Sequence, residues 1–309
     1  MGRGIIQGCS VSALIFILVA EILSIMIRSN SKIHGIKIGE VEHKVIQYAD
    51  DITFCVENLA SIDEVMETTG KFCKVSGMKL NMHKTKGIWL GTLKDLGLRQ
   101  YCKISWTGKP VKCLGAYIGH NKEKCKTLNW DKKIDKIESS LEYWNKKHLT
   151  LYGKINVIKT YALSKIVFPL TVLEAPDEIV KRLKDIFFTF LWGKRDRVKR
   201  TNVTRKRKEG GLNMVDLDKY ILSLQATWVN KLKHQIGKWK EVFLHYIAKI
   251  GLDSEYIWKL SFRSTKHFPI IETIPKFYQN IIIAFNKAKY VKPFKLLSTA
   301  EITTCQICT

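Results

Sequence analysis

Apolar residues fill almost every position from Val11 to Ile27, interrupted by Ser12, Glu21 and Ser24. Such a run predicts a helix over Ser12 to Arg28. Shorter apolar runs follow, bounded by glycine and polar pairs, and these read as strands. A hairpin is expected around Gly35 to Gly39, with its return near His43 to Gln47. A second is expected where Val45-Ile46 and Ile52 to Val56 flank Tyr48-Ala49-Asp50-Asp51. Ser61-x-x-Glu64 has the form of a capping box opening a helix from Ser61 to Val75, closed by Gly77. Strands are expected near Lys86 to Leu90, Lys103 to Trp106 and Val111 to Ile118.

Beyond about residue 127 the strand signals fade and helical spacing dominates. Asn129 and Thr150 are expected N-caps for helices over 130–147 and 151–166. Pro176 at the first helical position and Gly193 past the end bracket a helix from Asp177 to Trp192. Its Ile179, Leu183, Ile186, Phe187 and Phe190 keep an amphipathic spacing. Another helix is expected from Asp216 to His234, with further segments to the C-terminus. The pattern predicts an α+β domain over 1–127 and a mostly helical region over 128–309, with no internal repeat or low-complexity segment.

Composition narrows the partners. The 309 residues carry 52 Lys and Arg against 28 Asp and Glu, a net charge of +24. That balance points to a polyanion, nucleic acid first and an anionic membrane surface second. The bland alternative is a protein that is merely basic and soluble. Eight cysteines without a compact framework, and no secretion signal, point to free thiols inside the cell, nuclear or cytoplasmic. Cys305-x-x-Cys308 is half of a zinc site at most and reads as coincidence. The run from Val11 to Ile27 is 17 residues long, at the lower limit for a membrane span, and it contains Glu21. A helix buried on most sides in a soluble domain fits it better, so no membrane is expected.

The Asp50-Asp51 pair is the strongest chemical signal. Adjacent carboxylates at a hairpin tip suit Mg²⁺, which takes one or two carboxylates plus substrate phosphates. Taken alone, the pair reads better as a solvated turn than as a metal site. Its neighbours change the weighting. Arg3-Gly4-Ile5-Ile6-Gln7-Gly8-Cys9-Ser10 precedes it; Ser76-Gly77-Met78-Lys79-Leu80-Asn81-Met82-His83-Lys84-Thr85-Lys86 and Val111-Lys112-Cys113-Leu114-Gly115-Ala116-Tyr117-Ile118-Gly119 follow. In this order the four blocks resemble motifs B, C, D and E of the reverse transcriptase palm, closest to the non-LTR (long interspersed element) retrotransposon branch. The specific likeness spans about residues 2 to 120 and continues less specifically to about 235.

The resemblance implies an incomplete polymerase palm followed by a helical thumb-like region that holds an RNA template with a DNA primer, or an RNA–DNA duplex. It implies RNA-directed DNA synthesis from deoxynucleotides with two Mg²⁺ ions in the intact family. Asp50 is then the metal ligand and Asp51 its neighbour in the site. Gln7 and Gly8 line the template base and incoming nucleotide, while Tyr48 and Ala49 shape the approach of the primer end. Lys84 stands near the leaving pyrophosphate, with Lys79 and Lys86 as rivals. Lys112, Cys113, Leu114 and Gly115 form the primer grip, with Cys113 where the family usually has an aromatic residue. Motif B begins at residue 2, so motif A and the fingers are expected to be missing. The chain is therefore expected to be inactive alone.

Between Lys194 and Lys208, nine basic residues stand with one acid over fifteen positions. Lys194, Arg195, Arg197, Lys199, Arg200, Arg205, Lys206, Arg207 and Lys208 are expected to meet phosphates. A nuclear-localisation patch and a solvated loop are the alternatives. Trp144, Trp192, Trp228 and Trp239 are expected to be core anchors rather than stacking platforms. A non-catalytic nucleic-acid-binding remnant is the rival reading of the whole chain, and a membrane-anchored protein is the third.

Overall fold

Helix α1 (Ser12–Ser29) opens the described part of this computed structural model, which covers residues 9, 11–91, 93, 100–193, 195–234, 237–252 and 269–291. The chain forms two compact units, Met1–Cys125 and Lys126–Thr309; among the described residues all the small sheets lie in the first, and the chain as a whole mixes helices and sheets as an α+β protein does.

In the first unit α1 is not buried on most sides, contrary to the expectation from its composition. Only Ala20, Leu23, Ser24 and Ile27 are buried, at the i, i+3, i+4, i+7 spacing of a single stripe. Leu14, Ile17, Leu18, Ile22 and Ile25 are exposed. Uniform hydrophobicity cannot tell one covered face from several. Among the described residues α1 is the helix long and apolar enough to cross a membrane by length and composition. Its buried stripe is instead part of a core with Ile33, Val45, Val65 and Phe72.

Strands β1 (Ile36–Ile38) and β2 (Val41–His43) pair antiparallel, so the return strand starts at Val41 rather than at His43. Next come β3 (Val45–Tyr48), β4 (Asp51–Phe54) and helix α2 (Leu59–Ser76). The expected capping box is replaced by an earlier cap. Asn58, three positions before the expected Ser61, accepts a hydrogen bond from Ser61 N at 2.8 Å. Ser61 is buried and its hydroxyl accepts from His34 N at 2.9 Å, while Glu64 accepts from Asn30 Nδ2 at 2.8 Å. These two residues tie the helix to the loop after α1. Gly77 closes α2 with φ 75°, as its lack of a Cβ allows.

A three-stranded sheet follows, with β5 (Lys86–Ile88) parallel to β7 (Ile104–Thr107), and β7 antiparallel to β6 (Gln100–Tyr101). The stretch expected as one strand from Val111 to Ile118 is a hairpin, β8 (Val111–Cys113) and β9 (Ala116–Ile118). Leu114 at φ 45° and Gly115 at φ 86° form its turn, the pair of positive φ values that reverses two twisted strands. The leucine hid a turn that glycine alone did not announce.

The second unit is helical throughout its described residues. The expected Asn129 cap is a buried residue inside a π-helical segment, Thr127–Asp131, which joins α3 (Lys122–Lys126) to α4 (Lys132–Asn145). Thr150 does cap α5 (Leu151–Val157), accepting from Gly153 N at 3.2 Å. After a second π segment, Ile158–Ala162, come α6 (Val167–Val172), α7 (Asp177–Trp192), α8 (Arg200–Thr204), α9 (Leu217–His234), α10 (Lys238–Lys249) and α11 (Lys276–Val291). Pro176 is the N-cap residue of α7 rather than its first helical residue. Ile179, Leu183, Phe187 and Phe190 enter one core with Ile134, Ile137 and Leu141 of α4. A separate core joins Val229 of α9, Phe243 and Ile247 of α10 and Phe285 of α11. Each fully buried apolar side chain contributes about 1.5–3 kcal/mol, and the helices hold together chiefly through these contacts.

Candidate functional site

The Asp pair sits where two strands reverse. Val45 pairs with Phe54, Ile46 with Thr53, Gln47 with Ile52 and Tyr48 with Asp51, leaving Ala49 and Asp50 as the loop. Ala49 has φ 52°, a region in which a Cβ is strained by about 1–2 kcal/mol. A small residue is therefore favoured at this tip, and its strain is stored beside the carboxylates.

Strand alternation decides what each side chain faces. Val45, Ile52 and Phe54 line the core below α1, and Gln47 accepts a hydrogen bond from Ser24 of that helix. Ile46, Tyr48, Asp51 and Thr53 therefore share the opposite face. Tyr48 is 70% exposed, and both carboxylates are open to solvent.

The β8–β9 hairpin comes to that same face. Thr53 Oγ1 and Cys113 Sγ lie 3.5 Å apart across 60 residues of sequence. Cys113 pairs with Ala116, and both face inward from their hairpin, whereas Lys112 pairs with Tyr117 on the other side and is exposed. The fold thus brings Asp51, Thr53 and Cys113 to one surface. Thr53 carried no signal in the sequence, because its place depends on the register of β3 against β4.

A buried lysine fixes the hairpin's approach. Lys44 Nζ donates to the α1-terminal carbonyl of Asn30 at 2.8 Å and to that of Arg28 at 3.4 Å, and pairs with Glu42 at 3.3 Å. A cation at a helix C-terminus is favoured by the helix dipole. Glu42 also accepts from Gly35 N at 2.8 Å, and this bond, aided by Lys44, lowers its pKa. Gly35 is required there, since a Cβ would fall 2.6 Å from His43 O.

Lys84 is exposed in a turn organised by Asn81, whose Oδ1 and carbonyl accept from Lys84 N at 3.2 and 3.1 Å. Gln7, Gly8, Lys194, Cys305 and Cys308 lie outside the described residues.

The Asp50–Asp51 pair offers hard oxygen donors open to water, which suits Mg²⁺. Among the described residues no third His, Cys, Asp or Glu joins such a group. The pair fits one side of a metal site rather than all of it.

In the second unit, Arg205, Lys206, Arg207 and Lys208 project from a loop closed by its own backbone. Gly211 N donates to Lys206 O at 3.0 Å, and Asn213 N to Arg205 O at 2.9 Å. A Cβ on Gly211 would lie 2.1 Å from Arg205 O, so the loop depends on that glycine. Arg200 is committed locally. It pairs with Asp196 at 2.8 Å and Asp185 at 2.9 Å, and lies 4.5 Å above the Phe188 ring. Arg195, Arg197 and Lys199 are exposed. Trp228 anchors α9, donating from Nε1 to Thr171 O at 2.8 Å, and Trp144, Trp192 and Trp239 pack partly buried against the cores.

Comparison with known proteins adds a family. The model described as "Reverse transcriptase (RNA-dependent DNA polymerase)" matches residues 2–118. The uncharacterized 149 kDa protein of transposon TX1 from Xenopus laevis is 26% identical over 219 residues, covering 69% of this chain and 16% of that protein. An Arabidopsis thaliana protein with a provisional ribonuclease H name is 30% identical over 87 residues, covering 26% of this chain and 14% of that protein. The chain thus spans less than a fifth of either relative.

Proposed function

We propose that this chain, whose residues 2–118 match the reverse transcriptase family, supplies part of an RNA-directed DNA polymerase of the non-LTR retrotransposon type. The first unit acts as a partial palm and the second as a thumb that holds an RNA template with its DNA primer. The contact between Thr53 and Cys113 carries this reading, because it sets the carboxylate hairpin and the primer-grip hairpin on one face.

Asp50 and Asp51 would hold Mg²⁺, which polarises the phosphoryl oxygens of an incoming deoxynucleotide. The β8–β9 hairpin would orient the primer end toward Asp51, and orientation of this kind supplies much of the rate of a two-substrate reaction. Tyr48 and Ala49 would border the primer terminus, Gln7 and Gly8 the template base, and Lys84 the departing pyrophosphate. Arg195, Arg197, Lys199 and the 205–208 loop would meet the nucleic-acid backbone. A two-metal displacement draws carboxylates from separate strands, and this hairpin is one of them. The 309 residues alone are therefore expected not to extend a primer on RNA with Mg²⁺ or Mn²⁺. Fusion to a first carboxylate strand and nucleotide-pocket segment from a related polymerase should restore extension, and Asp50→Asn in that fusion should abolish it. Extension by the unfused chain would overturn the requirement for a second strand. Extension by the fusion that survives Asp50→Asn would remove the proposed role of the hairpin.

A further inference from the structure

The surface of α4 and α5 in the second unit has a charge pattern that the basic loop does not account for. On α4, at about 100° per residue, Lys136, Ser140, Tyr143, Trp144 and the following Lys147 fall on one side. Asp135, Glu138 and Glu142 fall on another, where Asp135 and Glu138 pair with Arg182 at 2.7 and 3.4 Å. The acids are thus drawn away from the Tyr143 side. No acidic residue occurs between Glu142 and Glu174, so the chain continues basic through α5 and the π segment after it.

Exposed rings interleave with these cations. Tyr143, Tyr152 and Tyr161 are 58%, 48% and 44% exposed. Trp144 joins two of them, lying 6.4 Å from Tyr143 and 6.2 Å from Tyr161, each edge to face. Lys147 lies 5.0 Å above Tyr143, Lys165 lies 4.2 Å above Tyr161, and Arg207 of the basic loop lies 4.6 Å above Tyr152. Lys165 is steadied by Ser140, to whose Oγ it donates at 2.9 Å. Burial, followed by the nearby Lys136 charge, lowers the pKa of Lys165, as expected of cations crowded without an acid among them.

We propose that this face is a stacking platform for single-stranded nucleic acid, with bases on Tyr143 and Tyr161 and phosphates on Lys147 and Lys165. The inference rests on the nucleic-acid reading above and adds the strand type and the surface. Unpaired bases offer the π-faces that stack on aromatic rings, whereas a duplex hides them. An exposed cation–π contact is weaker than a base–aromatic stack, so an arriving base displaces the ammonium toward its own phosphate. Arg207 presents a planar guanidinium on which a further base can lie. An anionic bilayer is the less favoured partner, because the rings are tyrosines on a lysine-rich surface rather than an apolar wedge.

The test compares binding of the full chain to oligo-dT, oligo-rU, a duplex of equal length, heparin and anionic vesicles. Tyr143→Ala with Tyr161→Ala should weaken single-strand binding by about tenfold or more without changing its salt slope, while duplex binding changes by less than about threefold. Tyr143→Phe with Tyr161→Phe should restore single-strand affinity, which separates stacking from misfolding; melting of both variants controls for the fold. Lys147→Ala with Lys165→Ala should lower the salt slope by up to about two. An alanine pair that binds single strands as well as the parent overturns the proposal. So does an equal loss on duplex and heparin, or a preference for vesicles over oligonucleotides. A parent chain that binds no nucleic acid removes the wider reading and this one with it.

Discussion

At the scale of single residues, Lys44 shows how a charge can position a site it does not touch. Its ammonium satisfies carbonyls at the end of α1 and the Glu42 carboxylate while 7% exposed. Lys44→Met keeps most of the apolar stem but leaves these acceptors without their donor. It should destabilise the first unit by about 1.5–3 kcal/mol, the usual range for a lost charged hydrogen bond, as read by denaturant unfolding. An unchanged midpoint would show that water replaces the ammonium. Asp63 provides a second case. It accepts from Tyr101 Oη at 2.6 Å and Cys102 Sγ at 2.8 Å, clasping α2 to the β6–β7 turn, where Cys102 and Lys103 both have positive φ. The bonds from Cys102 and then Tyr101 lower the Asp63 pKa from 3.8. The Asp63 bond raises Tyr101 to about 12, while burial and then the same bond raise Cys102 to about 11. The carboxylate's contribution is present above its unfolded value and lost as pH falls through the lowered one. The two donors contribute below their unfolded values of 10.0 and 9.0 and are lost as pH rises through the raised ones. Melting temperature should therefore fall between pH 9.0 and about 11 more steeply in the parent than in Tyr101→Phe with Cys102→Ala. Parallel curves would count against the clasp.

At the scale of elements, α1 and the β8–β9 hairpin depart most from expectation, for opposite reasons. The apolar run of α1 is legible as a helix, but its buried side depends on where α2 and β3 lie. The exposed Leu14, Ile17 and Leu18 make a continuous apolar strip of the kind that promotes association. Leu14→Lys with Leu18→Lys should reduce self-association in sedimentation while leaving the melting temperature nearly unchanged, since exposed positions cost within about 0.5 kcal/mol. A large fall in melting temperature would mean that the strip is covered in the folded chain. In the hairpin, Leu114 takes a positive φ that a leucine does not favour, so pattern reading saw one strand where two are folded. The same reversal turns Cys113 toward Thr53.

At the scale of the whole molecule, the net charge of +24 makes polyanion binding strongly salt-dependent. The structure separates cations available for phosphate from cations held elsewhere. Arg205, Lys206 and Lys208 project from a closed loop and Arg207 rests on Tyr152, whereas Arg200 is paired with two aspartates. Replacing residues 205–208 by alanine should reduce the slope of log affinity against log salt by about 3–4 units. Arg200→Ala should change the slope far less and act mainly on stability. A slope unchanged by the loop replacement would place the phosphate contacts elsewhere on the chain.

The order of motifs from Gln7 to Gly119, the reverse transcriptase likeness that the family match over residues 2–118 repeats, the α+β class and the basic balance were legible in the amino-acid sequence. Each depends on residue identity and local spacing, which the chain carries in itself. The Thr150 cap and the Gly77 and Gly193 stops were legible for the same reason: a cap is a bond or backbone angle within a few residues. Asn58 as the true start of α2, Lys44 at the end of α1, and the meeting of Thr53 with Cys113 were decided by tertiary structure. Those contacts join residues between 3 and 60 positions apart, and among them even the short-range cap was masked by a better-looking Ser61. Ser61 was drawn inward to meet His34, a partner that no local pattern names. The aromatic–cation face has the same origin, because Tyr143, Trp144 and Tyr161 become one surface only when α4 packs beside the π segment.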